Sequence, residues 1–293
     1  MSNLSQKIEE LLVCPVTHSP LHRERHGNME FFVAGNRRYP IINNVPNMVP
    51  TPPPKQLMQQ WKIWEQLQRN GEIAYEEAPH LNLADKDSEQ SKQFEKFINA
   101  QGLILDVGCG PQKYLPAYMS ETDGLDYVGI DPLIGQQSRE FIFIQGIGES
   151  LPFSSSSFDH VIFHLSLDHV LDCTMVLNEA HRILKVGGRV SISTDNIDEK
   201  QQDNNISSIK WTGIIRKGLR QLLKGIPRMG LFPMIHYMLL IMKLRVPDGA
   251  VDYFHMNFPR TDKLPEQLND LCFEKLRKER CGEQFFISGI KRL

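Results

Sequence analysis

Apolar residues change their spacing several times along the chain, and each change marks a different kind of element. Residues 6–13 carry a helical spacing and predict a short helix. Two alternating runs at 29–33 and 38–42, with turns at His26-Gly27-Asn28 and Gly35-Asn36, predict strands. From 55 to 100 the pattern is polar and helical. Trp61 and Trp64 recur one turn apart, as do Phe94, Phe97 and Ile98, so each helix presents an apolar stripe that packs on a core or covers a ligand.

Beyond residue 102 short apolar runs alternate with helical stretches. The runs at 103–107, 127–130, 141–144, 158–163 and 189–194 predict strands, with a helix at 173–184 that closes on Lys185-Val186-Gly187-Gly188. A helix at 264–271 and a strand at 283–291 end the chain, and the pattern marks no strand before that helix. Nearly continuous apolar strands alternating with helices predict an α/β fold with a Rossmann-like parallel sheet. Its first strand stops at Gly108-Cys109-Gly110, where missing side chains let a ligand approach the backbone, and Pro111 suits the first position of a following helix.

The run Val49-Pro50-Thr51-Pro52-Pro53-Pro54 is a stiff spacer. It divides the chain into a small α+β module (1–50), a proline linker with a helical cap (51–100) and the main domain (101–293), which carries a helical insertion at about 196–250. Charge singles out that insertion. Of 33 Lys and Arg residues, eight lie between positions 204 and 246, where none of the 35 Asp and Glu occurs. Trp211, Ile214, Ile215, Leu219, Leu222, Leu223 and Ile226 share one helical face there, and an apolar stretch follows at 231–244. Fourteen residues interrupted by Pro233 and Lys243 are too short to span a bilayer. Residues 205–245 are therefore expected to form a lid, or a peripheral contact with a membrane surface or lipid-linked substrate. Nucleic acid is a poor partner, because the rest of the chain is acidic and few aromatics interleave the basic positions.

Five cysteines without paired spacing, and a start that carries acids without an apolar leader, point to a cytoplasmic protein with reduced thiols. Cys14, His18, His22 and His26 recur every fourth residue, but Pro15 and Pro20 prevent the helix that would align them, so no metal site is expected. A dinucleotide is also excluded at the glycine corner, since its fingerprint needs glycine where Lys113 stands.

Four segments carry a resemblance: LDVGCG (105–110), YVGID (127–131), GESLPFSSSSFDHVIF (148–163) and LNEAHRILKVGGRVSIS (177–193). In this order and spacing they resemble class I S-adenosylmethionine (SAM)-dependent methyltransferases of the ubiquinone/menaquinone-biosynthesis type. The resemblance implies SAM as cofactor, with Asp106 anchoring its ammonium group and Gly108, Cys109 and Gly110 under the adenosyl and methionine parts. It further implies Asp131 and Pro132 at the ribose, Gly148 and Glu149 at the adenine, and His164 lining the pocket. Ile147 stands where that family usually has an aspartate for the adenine amino group, and Glu149 is the nearest replacement. Beyond the fourth strand, His164, Asp168 and His169 are candidates to position or deprotonate a methyl acceptor, with His255 as a further candidate. The acceptor is expected to be a small molecule, a glycan or a lipid-linked intermediate. An RNA methyltransferase and a non-catalytic SAM-binding scaffold are the alternatives. The N-terminal wording LLVCPVTHSPL … RRYPIINNVPNMVP is similar to zinc-ribbon-derived methyltransferase activators, with Thr17 where their second cysteine ligand belongs.

Overall fold

A computed structural model describes residues 4–77, 88–119, 125–135, 138–195, 239–240, 242–256 and 258–293. Most of the insertion expected to form a lid, at 196–250, lies outside them. The main sheet has seven strands. In chain order they are β5 (Leu103–Val107), β6 (Asp126–Asp131), β7 (Ile142–Gln145), β8 (Phe158–His164), β9 (Leu184–Asp195), β10 (Phe273–Cys281) and β11 (Gln284–Lys291). Spatially they run β10-β11-β9-β8-β5-β6-β7, parallel from β9 to β7 and antiparallel at β10 and β11. This is the expected α/β, Rossmann-like sheet. After β7 the chain crosses to the other side of β5, so the carboxyl ends of β5, β6 and β8 frame a crevice at the switch of direction.

Alternation along the strands divides the core in two. Leu103, Leu105 and Val107 of β5 face one layer with Val128, Ile130, Val161 and Phe163, while Ile104, Tyr127, Phe143 and Ile162 face the other. The first layer is covered by α4 (Cys173–Ile183) through Val176, Leu177, Ala180 and Ile183, and by α5 (Leu264–Asp270) through Leu264 and Leu268. The second is covered by α3 (Glu89–Ile98), whose Phe94, Phe97 and Ile98 are fully buried. That stripe is a core contact.

The N-terminal residues form α1 (Gln6–Glu9) and a four-stranded antiparallel sheet of β1 (His22–His26), β2 (Met29–Ala34), β3 (Arg37–Ile42) and β4 (Val45–Pro46). Ile8, Leu12, Cys14, Phe32 and Met48 pack into the same core layer as α4. Backbone bridges tie Leu12 to Phe153 and Asn47 to Gln145. Cys14 is buried against the Tyr39 hydroxyl, whereas His22 pairs with exposed Glu24. Between this sheet and α3 runs α2 (Met58–Glu77), a 20-residue helix.

Several expected elements differ. The helix starting at Pro111 is absent, and residues 111–116 form bends before a 3₁₀ turn at Ala117–Met119. Only four residues separate Pro111 from Pro116, and a proline there removes a donor and bends its predecessor away from helix. The segment Lys185-Val186-Gly187-Gly188 does not cap a helix but begins β9, whose bulge opposite Phe158–His160 accommodates it. Two charged strands, β1 and β10, lacked any apolar signal because both are edges with solvent on most side chains.

Inside the sheet, His160 is buried and shares a hydrogen bond with the Ser191 hydroxyl at 2.9 Å. Burial holds its imidazole down at about 3, against 6.5 in the unfolded chain. The unfolded state thus takes up a proton that the fold refuses. Stability contributed by neutral His160 is present above pH 6.5 and is lost as pH falls toward 3. Its share of the slope should be about 1.4 kcal/mol per pH unit in that window. Denaturant titrations from pH 7 to 4.5 should show His160→Gln flattening the pH dependence by that amount; parallel profiles for both proteins would refute the assignment.

Candidate active site

The crevice opens as a cavity of about 490 Å³. The glycine loop after β5 forms its floor. Gly108 has φ of +81° and Gly110 of +74°, backbone that side chains rarely adopt. A Cβ at Gly110 would meet only the Tyr75 hydroxyl, 3.8 Å away, so the missing side chain leaves space for a ligand. A Cβ at Gly108 would instead lie 2.4 Å from the Cβ of Ser166, whose hydroxyl donates to the Val107 carbonyl.

Asp131 ends β6 and braces this loop. Its Oδ2 accepts from the Gly110 amide and its Oδ1 from the Leu133 amide, both at 2.8 Å. Burial raises its pKa against these donors. Arg139 completes the brace, donating to the carbonyls of Ile134, Leu133 and Gly110 while its guanidinium lies 3.4 Å from the Phe143 ring centre. Asp131, Pro132, Cys109, Gly148, Glu149 and His164 all line the cavity.

Asp106 does not. Its Oδ2 accepts from the hydroxyls of Tyr118 and Tyr127 at 2.6 Å each, Oδ1 is buried without a donor, and burial lifts its pKa to about 6. Asp106 lies behind the cavity wall, and Tyr118, which donates to it, lines the cavity.

Opposite the loop, Ile147 is buried among Leu57, Trp61, Trp64 and Leu171. α2 thus covers this end, and Trp64 lines the cavity. An apolar residue at 147 matches an apolar lid built from the tryptophan stripe. Glu149, one residue beyond Gly148, turns its Oε1 to the amides of Leu171 and Asp172 at 2.5 and 3.3 Å, just ahead of α4. Its burial raises its pKa.

His164 ends β8, half-buried with its ring stacked on Phe94 at 4.9 Å and tilted against Tyr118 at 4.3 Å. Burial pushes its pKa to about 3, so the ring is neutral, and its Nδ1 has no partner. Leu165 follows with φ of +50°, a turn that sends the chain over the cavity mouth. There Asp168, His169 and His255 come together. The two imidazoles stack with centres 4.6 Å apart, and His255 Nδ1 meets Asp252 Oδ2 at 2.7 Å. The segment bearing His255 is fixed by Asn70 of α2, whose amide donates to the carbonyls of Arg245 and Tyr253. Sequence reasoning missed Tyr75, Arg139, Asn70 and Asp252; Asn70 is tied to the carbonyls of remote Arg245 and Tyr253, while Arg139 and Asp252 act in loops that carry no periodic pattern.

The described lining residues include the carboxylates Asp131, Glu149, Asp168 and Asp195, but no Lys or Arg. Such a cavity repels phosphate and favours a cationic ligand. A sulfonium bearing an ammonium group fits that field, and the glycine floor and apolar tryptophan end fit an adenosyl moiety.

Residues 105–192 match the family model described as a methyltransferase domain. The matched segment runs from β5 into β9, and it holds most of the motifs on which the resemblance to SAM-dependent methyltransferases rests. Among curated proteins, the demethylmenaquinone methyltransferase of Lactobacillus johnsonii is 28% identical over 155 residues, covering 46% of this chain and 62% of that protein. The protein of the same name from Staphylococcus epidermidis is 32% identical over 118 residues, covering 35% and 49%. The chain thus spans about half to three fifths of the length of these relatives. A solved structure of Burkholderia thailandensis 1,6-didemethyltoxoflavin-N1-methyltransferase, with 1,6-didemethyltoxoflavin and S-adenosylhomocysteine bound, is similar at a TM-score of 0.51. It is 11% identical, and the match covers 94% of this chain and all of that one. This likeness concerns the fold.

Proposed function

We propose that the chain is a SAM-dependent methyltransferase acting on a small apolar or lipid-linked acceptor. The observation that carries this reading is that the described lining of a glycine-floored cavity is acidic and holds no lysine or arginine. Bound there, SAM supplies an electrophilic methyl group on a sulfonium. The backbone of Gly108, Cys109 and Gly110 supports the cofactor, Asp131 and Pro132 face its ribose, and Gly148, Glu149 and Ile147 with Trp64 enclose its adenine. Neutral His164 closes the cavity wall without placing a like charge beside the sulfonium.

Asp168, His169 and His255 stand at the acceptor end. Asp252 holds Nδ1 of His255 and Asp168 Oδ2 lies 3.4 Å from its Nε2, so the ring is fixed where it can position an acceptor hydroxyl. Phe254, Val170 and Leu67 line the cavity beside these groups and suit an apolar ring. The names of the demethylmenaquinone methyltransferases make an acceptor of quinone type the first to try. No helix among the described residues is long and apolar enough to cross a membrane, and a cytoplasmic protein reaching lipid-linked acceptors through residues 205–245 is the associated proposal. Residues 1–50 are proposed as a metal-free relative of methyltransferase activators built into the domain, supported by the shared core.

Cell extract supplied with methyl-labelled SAM and the purified protein, then separated into RNA, protein, lipid and small molecules, tests this. Label is expected in the lipid or small-molecule fraction. Label confined to RNA, or no SAM binding in calorimetry, overturns it.

A further inference from the structure

Asp168, His169 and His255 are arranged for more than proton transfer. His169 Nδ1 lies 3.0 Å from the Phe254 carbonyl oxygen, which can only accept, so that nitrogen carries the ring's hydrogen. His255 Nδ1 is likewise turned to the Asp252 carboxylate. When neutral, each ring keeps a lone pair on Nε2, and both Nε2 atoms lie near one carboxylate. His169 Nε2 is 3.7 Å from Asp168 Oδ1, and His255 Nε2 is 3.4 Å from Asp168 Oδ2. In that neutral state the acceptor atoms repel unless a proton on His255 Nε2 or a metal cation lies between them; against its burial, the carboxylates of Asp252, Asp168 and Asp195 raise the pKa of His255. Asp168 Oδ1 is moreover buried with no hydrogen-bond donor, although the Asp168 side chain is only 9% exposed.

The spacing suits an ion. One ligand atom from each residue lies within 4.8 Å of the others. Two ligands each ~2.1 Å from a tetrahedrally coordinated ion lie about 3.4 Å apart, close to the distances found. The outer partners also match those of metal sites, where imidazole ligands give their second N–H to a carboxylate or a backbone carbonyl. Asp195 and Asp252 add negative charge around His255.

We propose that Asp168, His169 and His255 form a binding site for one divalent transition-metal ion of the zinc type at the mouth of the cavity. Two imidazoles and one carboxylate leave a coordination position open toward the cavity, which an oxygen of the acceptor fills. The site rests on the convergence of these residues alone. Its use in orienting and acidifying an acceptor hydroxyl rests on the methyltransferase reading. Sequence spacing did not announce it, because no metal motif joins adjacent Asp168 and His169 to the remote His255.

Metal-stripped full-length protein, without SAM or acceptor, is titrated with Zn²⁺ against a chromophoric chelator, and in parallel with Co²⁺ followed by visible absorption. One ion per chain is expected, with the weak d–d bands of nitrogen and oxygen ligands. Asp168→Asn and His169→Gln should each weaken binding at least 100-fold, and Asp252→Asn roughly 10-fold to 100-fold through the outer partner. Circular dichroism and Tm establish that the variants fold. No stoichiometric binding by the wild-type chain overturns the site. So does a strong near-ultraviolet thiolate band, which places the ion on cysteines, or affinity unchanged in all three variants. The wild-type titration decides by itself if a variant fails to fold. SAM calorimetry on the same sample separates the two readings, since cofactor binding without metal binding defeats this inference and leaves methyl transfer standing.

Discussion

Gly108→Ala should abolish detectable SAM binding, with at least a ~100-fold loss in calorimetry, and should lower stability by about 3 kcal/mol. Two costs combine. An alanine at φ of +81° carries left-handed strain of about 1–2 kcal/mol, and its Cβ would overlap the Ser166 Cβ at 2.4 Å. Relief requires Ser166 to move, which breaks its hydrogen bond to the Val107 carbonyl and shifts the end of β5. Replacing Ser166 by Gly in the alanine background should recover part of the stability, so the pair will be strongly non-additive. Gly27→Ala is the control. Its φ is +60° but nothing lies within 4 Å of the new Cβ, so it should cost only the strain. Equal losses for the two variants would show that the overlap is not the cause.

The second large effect belongs to Arg139. Its guanidinium is buried, holds three carbonyls from two loops and lies against Phe143. Arg139→Met leaves those carbonyls without their charged donor, each such bond contributing about 1.5–3 kcal/mol before relaxation. We expect a net loss near 3 kcal/mol in denaturant titration and at least 10-fold weaker SAM binding, because Gly110 and the loop after Asp131 are released together. Arg139→Lys should not rescue, since a point charge cannot replace the fork across separated acceptors. Full recovery with lysine would reduce the role of Arg139 to its charge.

These residues also show why the sequence was legible in some places and silent in others. β5 could be found because a strand covered on both faces must be apolar along its length, and Leu103–Val107 is buried throughout. β10 could not, because an edge strand satisfies its outer face with water and reads as the charged string FEKLRKERC. The glycine loop and Asp131 follow from chain-local geometry, in which the position after a strand determines what a ligand meets. The partners of Asp106 were not legible for the complementary reason. Its place at the strand end follows from the pattern, yet its oxygens are held by Tyr118 and Tyr127, which no local pattern couples to it. His169 and His255 meet only through tertiary folding, and the carboxylate that fixes His255 belongs to a segment without periodicity.

Asn70 also bears on the order in which the molecule assembles. This one buried amide on α2 joins the carbonyls of Arg245 and Tyr253, 175 and 183 residues further along the chain. Closing loops of that length is entropically slow, so such contacts form after the local hairpins and the parallel strands have condensed. The wall of the cavity that carries His255 is therefore expected to mature last in folding and to open first in unfolding. Trp61 and Trp64, tilted against each other with ring centres 4.6 Å apart on the same helix, stand where their fluorescence reports that event.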